Sequence, residues 1–329
     1  MTWGIEMKYF VTGGAGFIGS NYVRGLLDGR WGNDVTKVTV FDAFTYAGNP
    51  HNLDPVKDDP RLSVIKGDIC NAADIANALP DHDVVVHFAA ESHVDRSIEA
   101  SSVFMNTNVL GTHQMLEASL REKIPTFIHV STDEVYGSIE SGSWDEQEPL
   151  LPNSPYAASK ASSDLVARSY FRTFGLDVRI TRCSNNFGPY QYPEKVIPLF
   201  ITNLIDGAQV PLYGDGMNIR DWLHVDDHCR GIDLVVNKGR AGNIYNIGGG
   251  TEMTNRDLTT QLLSIFGLGE ERIRWVEDRL GHDRRYSVDW GKINNELGYT
   301  PQHSLKDALP SLVEWYQTNE QWWRPLKKK

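Results

Sequence analysis

Short apolar runs rich in β-branched residues recur along the chain and alternate with stretches of helical periodicity. Such runs are typical of buried parallel strands, and we expect seven of them, at Lys8–Thr12, Lys37–Phe41, Leu62–Lys66, Asp83–Phe88, Phe127–Val130, Asp177–Thr181 and Asn243–Ile247. Helical patterns follow the first strand, cover Asn106 to Glu122 and run from Tyr156 to about Phe174. This alternation predicts an α/β fold, namely a Rossmann-like doubly wound parallel sheet with a smaller C-terminal substrate-binding lobe.

A glycine-rich turn follows the first strand. Gly13, Gly16 and Gly19 have the spacing Gly-x-x-Gly-x-x-Gly, which allows a tight turn and brings a pyrophosphate close to the N–H groups of the next helix. A glycine-rich turn without a ligand is the alternative. The second predicted strand, however, ends in Asp42, whose carboxylate can bind both ribose hydroxyls and repels a 2′-phosphate. The combination favours NAD over NADP.

Two further positions in the N-terminal half, Asp68 and His87, have two interpretations each. Asp68 is placed to accept a hydrogen bond from an adenine amino group with Ile69 against the ring, or it is a surface loop acid. His87 lies inside the fourth strand, where a hydrogen-bonded core histidine is favoured over a catalytic one. The helix predicted over Asn106 to Glu122 carries apolar residues at core-like spacing, Val109, Leu110, Leu116 and Leu120.

The stretch Ser131–Gly137 directly follows the fifth strand. Ligands of open α/β sheets bind outside the carboxyl ends of the strands, so we expect Thr132, Asp133 and Glu134 to face a substrate. Adjacent carboxyls in a partly dry pocket repel each other and can differ in pKa, so that one serves as acid and the other as base. A strand-end cap with no chemistry is the alternative.

Tyr156 is the only tyrosine that has a lysine, Lys160, four residues later. In a helix this spacing puts both side chains on one face. A nearby ammonium is expected to lower the pKa of the phenol and make it a usable base. A solvated Tyr/Lys pair is the alternative, which the glycine-rich turn and the strand-end hydroxyl disfavour. The long loop Ser138–Pro155, which leads to this helix, is also expected to carry function.

Several later segments carry polar chemistry. Asn185–Tyr192 and Lys195–Pro198 combine turn formers, aromatics and amides, which suits the lip of a pocket. The basic stretch Asp278–Arg285 is interpreted as a diphosphate clamp, with a solvated charge run as the alternative. A further group resembles a set of metal ligands but is better explained as the acidic start of a helix, so we expect no metal; it comprises Asp221, His224, Asp226, Asp227 and His228.

Composition narrows the class of protein. The net charge of −11 argues against a nucleic-acid surface, which needs a basic face. No apolar stretch approaches the ~20 residues that span a bilayer, the first six residues lack a secretory signal pattern, and the three cysteines match no zinc spacing. We therefore expect a cytoplasmic protein without a membrane partner. Its 329 residues allow one large domain with a smaller lobe.

Together these motifs resemble the extended short-chain dehydrogenase/reductase family. They are the fingerprint Thr-Gly-Gly-Ala-Gly-Phe-Ile-Gly ending at Gly19, the strand-end Thr132, and Tyr156-x-x-x-Lys160. Within that family the chain is similar to the dTDP-glucose 4,6-dehydratases, because nucleotide-sugar epimerases have small or polar residues where this chain has Asp133-Glu134. Further matches lie at 91–97, 182–191, 213–216 and 220–222. One departure is Leu280, which stands where the family's Asp-Arg-Pro-Gly-His-Asp loop has proline.

The resemblance implies a tightly held NAD, dTDP-glucose as substrate, and dTDP-4-keto-6-deoxyglucose and water as products. It implies Tyr156 as the base at O4 with Lys160 and Thr132 beside it, Glu134 as the base at C5 and Asp133 as the acid at O6. The implied NAD contacts are Gly13, Gly16, Phe17, Ile18, Gly19, Asp42, Thr45, Asp68, Ile69, Ala89, Ala90, Thr107, Tyr156, Lys160 and Asn186. The implied sugar-nucleotide contacts are Ser92, Thr132, Asn185, Lys195, Val196, Pro211, Leu212, Tyr213, Arg220, Asn255, Arg279 and His282.

The resemblance also implies a homodimer, formed by the helices near Asn106 and Tyr156 as a four-helix bundle. We expect residues 7–184 with 220–250 to form the NAD-binding domain, and 185–219 with 251–329 to form the nucleotide-sugar-binding lobe. Three alternatives remain. They are a nucleotide-sugar 4-epimerase, a 4,6-dehydratase of a UDP- or GDP-sugar, and a non-catalytic NAD-binding protein.

Overall fold

A computed structural model describes residues 6–32 and 34–327, and its centre is a seven-stranded sheet. The first five residues, which bear on the expected lack of a secretory signal, lie outside this range. The strands are β1 Met7–Thr12, β2 Val35–Asp42, β3 Leu62–Lys66, β4 Val84–His87, β5 Thr126–Thr132, β6 Val178–Cys183, β7 Asn185–Phe187, β8 Val210–Tyr213, β9 Ile219–His224, β10 Ile244–Ile247, β11 Glu252–Thr254 and β12 Ile273–Val276. The seven predicted strands are β1 to β6 and β10, and they form this sheet.

Helices cover both faces of the sheet and build most of the smaller lobe. They are α1 Phe17–Leu27, α2 Ala72–Ala78, α3 Val94–Glu99, α4 Ser101–Phe104, α5 Thr112–Arg121, α6 Pro155–Phe174, α7 Val196–Ile205, α8 Val225–Lys238, α9 Asn255–Ile265, α10 Gly291–Leu297, α11 Leu305–Thr318 and α12 Glu320–Lys327. Short 3₁₀ turns occur at Pro50–Val56, Asp133–Tyr136 and Glu270–Arg272, and a π-helical turn at Met105–Gly111. Within the described ranges, no helix is both long and apolar enough to cross a membrane.

The strand order in the main sheet determines where a ligand can bind. The order is β3-β2-β1-β4-β5-β6-β10, and every neighbouring pair is parallel. The chain therefore reverses its direction of travel through the sheet between β1 and β4, which is the topological switch point of this fold. The loops after β1 and β4 diverge there, and they leave a crevice at the carboxyl edge.

The sheet is buried on both sides, as continuous apolar strands require. Val85 and Phe127 are fully buried at its centre. The prediction for His87 is confirmed, because Nδ1 lies 2.7 Å from Thr12 Oγ1 and Nε2 lies 3.0 Å from Thr112 Oγ1. Both ring nitrogens are thus used inside the core.

The smaller lobe has an apolar core of its own. Phe200 of α7, Leu258 of α9 and Leu309 of α11 pack together beside a three-stranded sheet, β11-β9-β7, and the parallel pair β8 and β12. Trp323 of α12 is fully buried in the same cluster. The last two helices are therefore anchored in this lobe.

Leu110 is not a core residue, and this part of the sequence pattern was misleading. The helix predicted over Asn106 to Glu122 begins with the π-helical turn and continues as α5. A π turn holds more residues than an α turn, which shifts the phase of the side chains. Leu116 is fully buried as expected, whereas Leu110 is 55% exposed.

The acidic start of α8 is confirmed as a helix cap. His224 is the N-cap residue and its Nδ1 accepts from Asp226 N–H at 3.2 Å. Asp226 accepts from Asn21 and Arg30, each at 2.8 Å. The side chain of His303 completes a group of possible metal donors within 4.8 Å of one another. Asp221 does not belong to the cap, because it lies in β9.

Candidate active site

Two connected cavities lie at the carboxyl edge of the main sheet. The first, of about 360 Å³, follows the ends of β1, β4 and β5. The second, of about 200 Å³, extends from it towards the smaller lobe. Ser92, Glu134, Asn185 and Lys195 line both. One long ligand or two adjoining ligands would fit this shape.

The two cavities separate the residues that the resemblance implies. Every implied NAD contact lines the first cavity. Every implied sugar-nucleotide contact lines the second cavity except Thr132, which lines the first. Thr132 is the last residue of β5, and its side chain lies on the cofactor side of the junction.

The glycine-rich turn fits a pyrophosphate. Gly13 has φ +67°, and a Cβ there would lie 2.7 Å from the backbone nitrogen of Ala89. A Cβ on Gly19 would overlap the carbonyl of Gly13, so the helix can approach the turn only with glycine at this position. A Cβ on Gly16 would meet the Gly13 carbonyl at 3.2 Å and would otherwise project into free space. The backbone of the glycine-rich turn therefore faces the cavity without covering side chains.

Asp42 also organises this turn. Its two carboxylate oxygens accept from Ala15 N–H at 3.0 Å and Phe44 N–H at 2.8 Å. Burial raises the pKa of Asp42, and these two hydrogen bonds act in the opposite direction. A carboxylate has about four acceptor positions, so it retains capacity for ribose hydroxyls.

Local structure brings the reactive side chains of β5 together. Thr132 ends the strand and caps the 3₁₀ turn, where its Oγ1 accepts from Glu134 N–H at 3.3 Å. The same hydroxyl lies 3.3 Å from Asp133 Oδ1. Asp133 Oδ2 is buried without a hydrogen-bond partner among the described residues. An unpaired buried oxygen of this kind indicates a group that meets a ligand.

The two acids have different electrostatic surroundings. Burial, together with repulsion from Glu134 and Asp221, raises the pKa of Asp133 well above its ordinary value. Burial also raises the pKa of Glu134, but three cations oppose it, Arg279, Lys195 and Arg220. The neutral form of Asp133 is therefore the more strongly favoured of the two, and Glu134 is the member of the pair that is held closer to ionisation.

The expected effect of Lys160 on Tyr156 is not found. Burial raises the pKa of Tyr156 well above its ordinary value, and Glu134 adds to the rise. Lys160 instead donates to the carbonyl of Val130 at 2.8 Å, and burial lowers its pKa to about 8. The helical spacing put both residues on one face, but packing directs the ammonium to the backbone of β5.

Tyr156 is placed by the start of α6. Ser154 is the N-cap, Pro155 occupies the first turn, and the Ser154 hydroxyl accepts from Ala157 N–H at 3.1 Å. Tyr156 N–H donates to Ser97 Oγ at 3.1 Å. The loop Ser138–Pro155 that leads to this helix lines neither cavity, and a function for it stays a prediction. It packs instead along 285–289, with Trp144 N–H donating to Ser287.

Cationic residues surround the second cavity. Arg220 is 4% exposed, donates to the carbonyl of Asp283 at 3.0 Å and lies 4.2 Å from the ring centroid of Tyr286. Lys195 Nζ donates to the carbonyl of Ser92 at 2.9 Å. Arg279 Nε is buried without a partner among the described residues. These side chains would face an anionic part of a ligand.

The basic stretch Asp278–Arg285 divides into two roles. Arg279 and His282 line the second cavity. Arg284 pairs with the exposed Asp215 at 2.9 Å and belongs to the solvated charge run that was the alternative. Arg285 pairs with Glu252 at 2.7 Å, but its side chain is only 15% exposed. Leu280 is 76% exposed.

Some lining residues were missed by the motifs. Asn52 and Trp322 line the first cavity, and Glu194 lines both. Glu194 lies between the two segments that were predicted to form the lip of a pocket, so the sequence pattern indicated the region of Glu194 but not the residue. Nothing in the local sequence marks Asn52 or Trp322.

The chain is similar to known proteins over nearly its whole length. A family model described as GDP-mannose 4,6 dehydratase matches residues 10–312. A dTDP-glucose 4,6-dehydratase of Streptomyces antibioticus is 58% identical and covers 98% of this chain and 96% of its own. A dTDP-glucose 4,6-dehydratase of Streptomyces venezuelae, crystallised with NAD, is 60% identical with a TM-score of 0.96, over 97% of this chain and 100% of that one.

An epimerase has the same fold at a lower identity. The UDP-glucose 4-epimerase of Thermotoga maritima, crystallised with UDP-glucose, is 30% identical with a TM-score of 0.87. The match covers 95% of this chain and 100% of that one. Over almost the same length, this chain is therefore more similar to the dehydratases.

Proposed function

The chain belongs to the dTDP-glucose 4,6-dehydratases, within the family that the GDP-mannose 4,6-dehydratase model describes, and we propose that its two cavities carry out that reaction. It converts dTDP-glucose to dTDP-4-keto-6-deoxyglucose and water, with NAD as cofactor. Bound NAD supplies a hydride acceptor at C4 and a hydride donor at C6 within one turnover. The observation that carries the proposal is the unequal environment of Asp133 and Glu134.

The oxidation at C4 uses the residues at the junction of the cavities. Tyr156 takes the proton of the 4-hydroxyl, and Thr132 donates a hydrogen bond to the same oxygen. Because the pKa of Tyr156 is raised in the protein alone, its ionisation depends on positive charge nearby. In this proposal Lys160, buried in the wall of the first cavity, acts on Tyr156 only when cofactor and substrate are bound, because no lowering of the Tyr156 pKa is found in the protein alone.

The elimination uses the two carboxyls. The new 4-ketone acidifies the C5–H bond, and Glu134 removes that proton. Asp133 gives its proton to the leaving 6-hydroxyl, and water departs. Elimination of a hydroxyl at one pH needs an ionised base and a protonated acid. The three cations near Glu134 and the burial of Asp133 provide that difference.

Arg220 and Arg279 are proposed to hold the diphosphate, with Lys195, Asn185 and His282 around the sugar nucleotide. All five line the second cavity. Guanidinium groups suit phosphate oxygens because their N–H donors are planar and fixed. The remaining implied contacts complete the wall of the same cavity.

The division of labour between domains and the oligomer are also proposals. Residues 7–184 with 220–250 would hold NAD, and 185–219 with 251–329 would hold the sugar nucleotide. The proposed homodimer is supported by exposed apolar side chains on α4, the π-helical turn and α6, which are Val103, Met105, Leu110, Leu165 and Phe174. α6 packs against the π-helical turn within one chain, so the same face could join a second copy into a four-helix bundle.

A cytoplasmic location stays a prediction. Cys70, Cys183 and Cys229 are free thiols, which fits a reducing compartment. Cys183 and Cys229 are buried and Cys70 is half-buried.

Mass spectrometry of the purified enzyme tests the proposal. Separate incubations with dTDP-, UDP- and GDP-glucose, without added NAD, should give loss of one water from dTDP-glucose only. Loss of water from a UDP- or GDP-sugar instead would indicate a dehydratase of that sugar. An unchanged mass with glucose converted to galactose would indicate a 4-epimerase and would make Asp133 and Glu134 a structural cap.

A further inference from the structure

The C-terminal helix α12 reaches from the smaller lobe to the wall of the first cavity. Trp322 lines that cavity, and its indole Nε1 donates to Asn52 Oδ1 at 2.9 Å. The two residues are 270 positions apart. The adjacent Trp323 anchors α12 in the core of the smaller lobe, where it is fully buried.

Asn52 extends this contact to the glycine-rich turn. Its side chain is 2% exposed, and Nδ2 donates to the carbonyl of Ala15 at 2.9 Å. Its own carbonyl accepts from Arg24 Nη1 at 2.7 Å. A continuous series of hydrogen bonds therefore runs from Trp322 through Asn52 to the backbone between Gly13 and Gly16.

Tyr190 closes the same side of the cavity. It has φ +67°, a conformation that a residue with a bulky side chain rarely adopts. Its ring centroid lies 4.7 Å from that of Trp315 and 5.5 Å from that of Trp322, and the Arg24 guanidinium lies 4.3 Å from it. Strained backbone persists where its surroundings hold it, and here the C-terminal aromatics hold it against the cavity.

The segment Asn186–Tyr192, which includes Tyr190, is hydrogen-bonded to α11 and α12. Tyr316 of α11 donates from its hydroxyl to the carbonyl of Gln191 at 2.7 Å, and Gln191 Nε2 donates to the carbonyl of Asn186 at 2.9 Å. The Tyr192 hydroxyl donates to the carbonyl of Leu326 at 3.3 Å. The segment Asn186–Tyr192 lines the first cavity in part, so α11 and α12 determine how that wall is held.

We propose that the Trp322–Asn52–Ala15 series, which we name the C-terminal latch, keeps the cofactor in place through the whole turnover, with Trp322 as a positioning residue. The inference rests on the proposed function, because that reaction stores a hydride on the cofactor and returns it to the same substrate. A cofactor that left between the two steps would leave an unsaturated intermediate that could not be reduced. Release through this side of the cavity requires the latch to open, which separates the smaller lobe from the glycine-rich turn.

Release of NAD from Trp322→Phe tests the latch. The variant keeps an aromatic ring beside Tyr190 and removes the indole N–H together with part of the ring system. Protein loaded with radiolabelled NAD is mixed with excess unlabelled NAD, and the loss of bound label is followed over time. Loss of one neutral hydrogen bond should make release about threefold to tenfold faster. Trp275→Phe is the matched control, because Trp275 is 50% exposed on β12 and lines neither cavity.

A second measurement, rescue of turnover by added NAD, distinguishes loss of the latch from a general loss of stability. Added NAD should restore the long-term turnover of Trp322→Phe, whereas the parent and Trp275→Phe should not respond. Thermal unfolding of the variants with NAD removed measures the stability of the fold by itself. A release rate equal to that of the parent would overturn the latch, whatever happens to the unfolding temperature.

A replacement in α11 covers the case in which Trp322→Phe does not fold. Tyr316→Phe removes only the hydroxyl that contacts Gln191, and Tyr316 lines neither cavity. If Trp322→Phe does not fold, faster release of NAD from Tyr316→Phe would support retention of the cofactor by the C-terminal helices, and an unchanged rate would overturn it. A parent enzyme that binds no NAD would overturn the proposed function and the latch together, whereas slow release from parent and variants alike would overturn the latch alone.

Discussion

Asp133 and Glu134 are neighbours in the chain, yet their carboxyls lie in different electrostatic surroundings. Asp133 is 2% exposed, with one oxygen near the Thr132 hydroxyl and the other buried without a partner among the described residues. Glu134 faces the cations of the second cavity. Two carboxyls held apart in pKa provide an acid and a base for one elimination.

Glu134→Gln should remove the elimination and preserve the fold. Glutamine has the same shape but cannot accept the C5 proton, and positioned acid–base groups contribute about 10²–10⁴-fold to a rate. Loss of water from dTDP-glucose, followed by mass spectrometry, should slow by at least about 10²-fold, while bound NAD is retained. Glu140→Gln, an exposed acid six positions further on, is the control. Elimination at the parent rate would contradict the assignment.

The pH dependence of the elimination should have two limbs. The rate should fall towards acid as Glu134 becomes protonated, with a midpoint above the ordinary value for glutamate because its pKa is raised. It should fall towards alkali as Asp133 loses its proton, with a midpoint far above the ordinary value for aspartate. Asp133→Asn should be slower overall and should lack the alkaline limb. An alkaline limb that persists in this variant would assign the acid to another group.

Arg279→Gln should weaken binding of the sugar nucleotide. Hydrogen bonds to charged groups contribute about 1.5–3 kcal/mol, so we expect the KM for dTDP-glucose to rise by about 10- to 100-fold. Arg284→Gln provides a control in the same loop, since Arg284 pairs with Asp215 at the surface. Steady-state kinetics of both variants measure the difference. An equal KM for the two would mean that Arg279 also belongs to the solvated charge run.

Charges on the exposed apolar face should separate the proposed dimer. Leu110→Glu and Leu165→Glu place a carboxylate on residues that are 55% and 56% exposed in one chain. Burial of an unpaired charge is strongly unfavourable, so sedimentation equilibrium should show monomers. Leu280→Glu, at a residue 76% exposed in the loop at the second cavity, should sediment as the parent does. Dimers in all three variants would exclude this face.

Asp164→Asn should destabilise the fold at neutral pH. Burial alone would raise the pKa of Asp164, but Arg182 at 2.8 Å and His129 at 3.2 Å lower it to about 2. A lowered pKa means that the stabilisation is complete above the unfolded value of about 4 and disappears as the pH falls towards about 2. Loss of one partner of a buried pair typically costs about 3–5 kcal/mol.

Denaturant unfolding across this pH range measures the effect. The difference between Asp164→Asn and the parent should be largest near neutrality and shrink below about pH 4. Asp215→Asn removes an exposed partner of Arg284 and should leave the free energy of unfolding nearly unchanged. A pH-independent difference for Asp164→Asn would mean that packing, rather than charge, causes the loss.

Much of the site could be predicted because its signals are local. The strand periodicity, the Gly13–Gly16–Gly19 spacing and the carboxyls after β5 each occupy a few consecutive residues. The rule that ligands bind at the carboxyl edge of a parallel sheet then joined these pieces. Hydrogen-bond patterns and side-chain direction within a strand or turn depend on near neighbours, so the printed order of residues contains that information.

Other features depended on contacts between distant parts of the chain. The spacing of Tyr156 and Lys160 indicated one helix face correctly, but burial and the Val130 carbonyl determined where the ammonium points. Leu110 followed a helical pattern whose phase the π-helical turn shifted.

By itself, the sequence determined the parallel sheet, the glycine-rich turn and which side chains meet at the end of β5. Only the tertiary structure decided the unequal pKa values of Asp133 and Glu134 and the contact of Trp322 with Asn52. The physical reason is the distance along the chain over which each interaction acts. Periodicity and turn chemistry act over a few residues, whereas desolvation and long-range hydrogen bonds depend on which distant segments pack together.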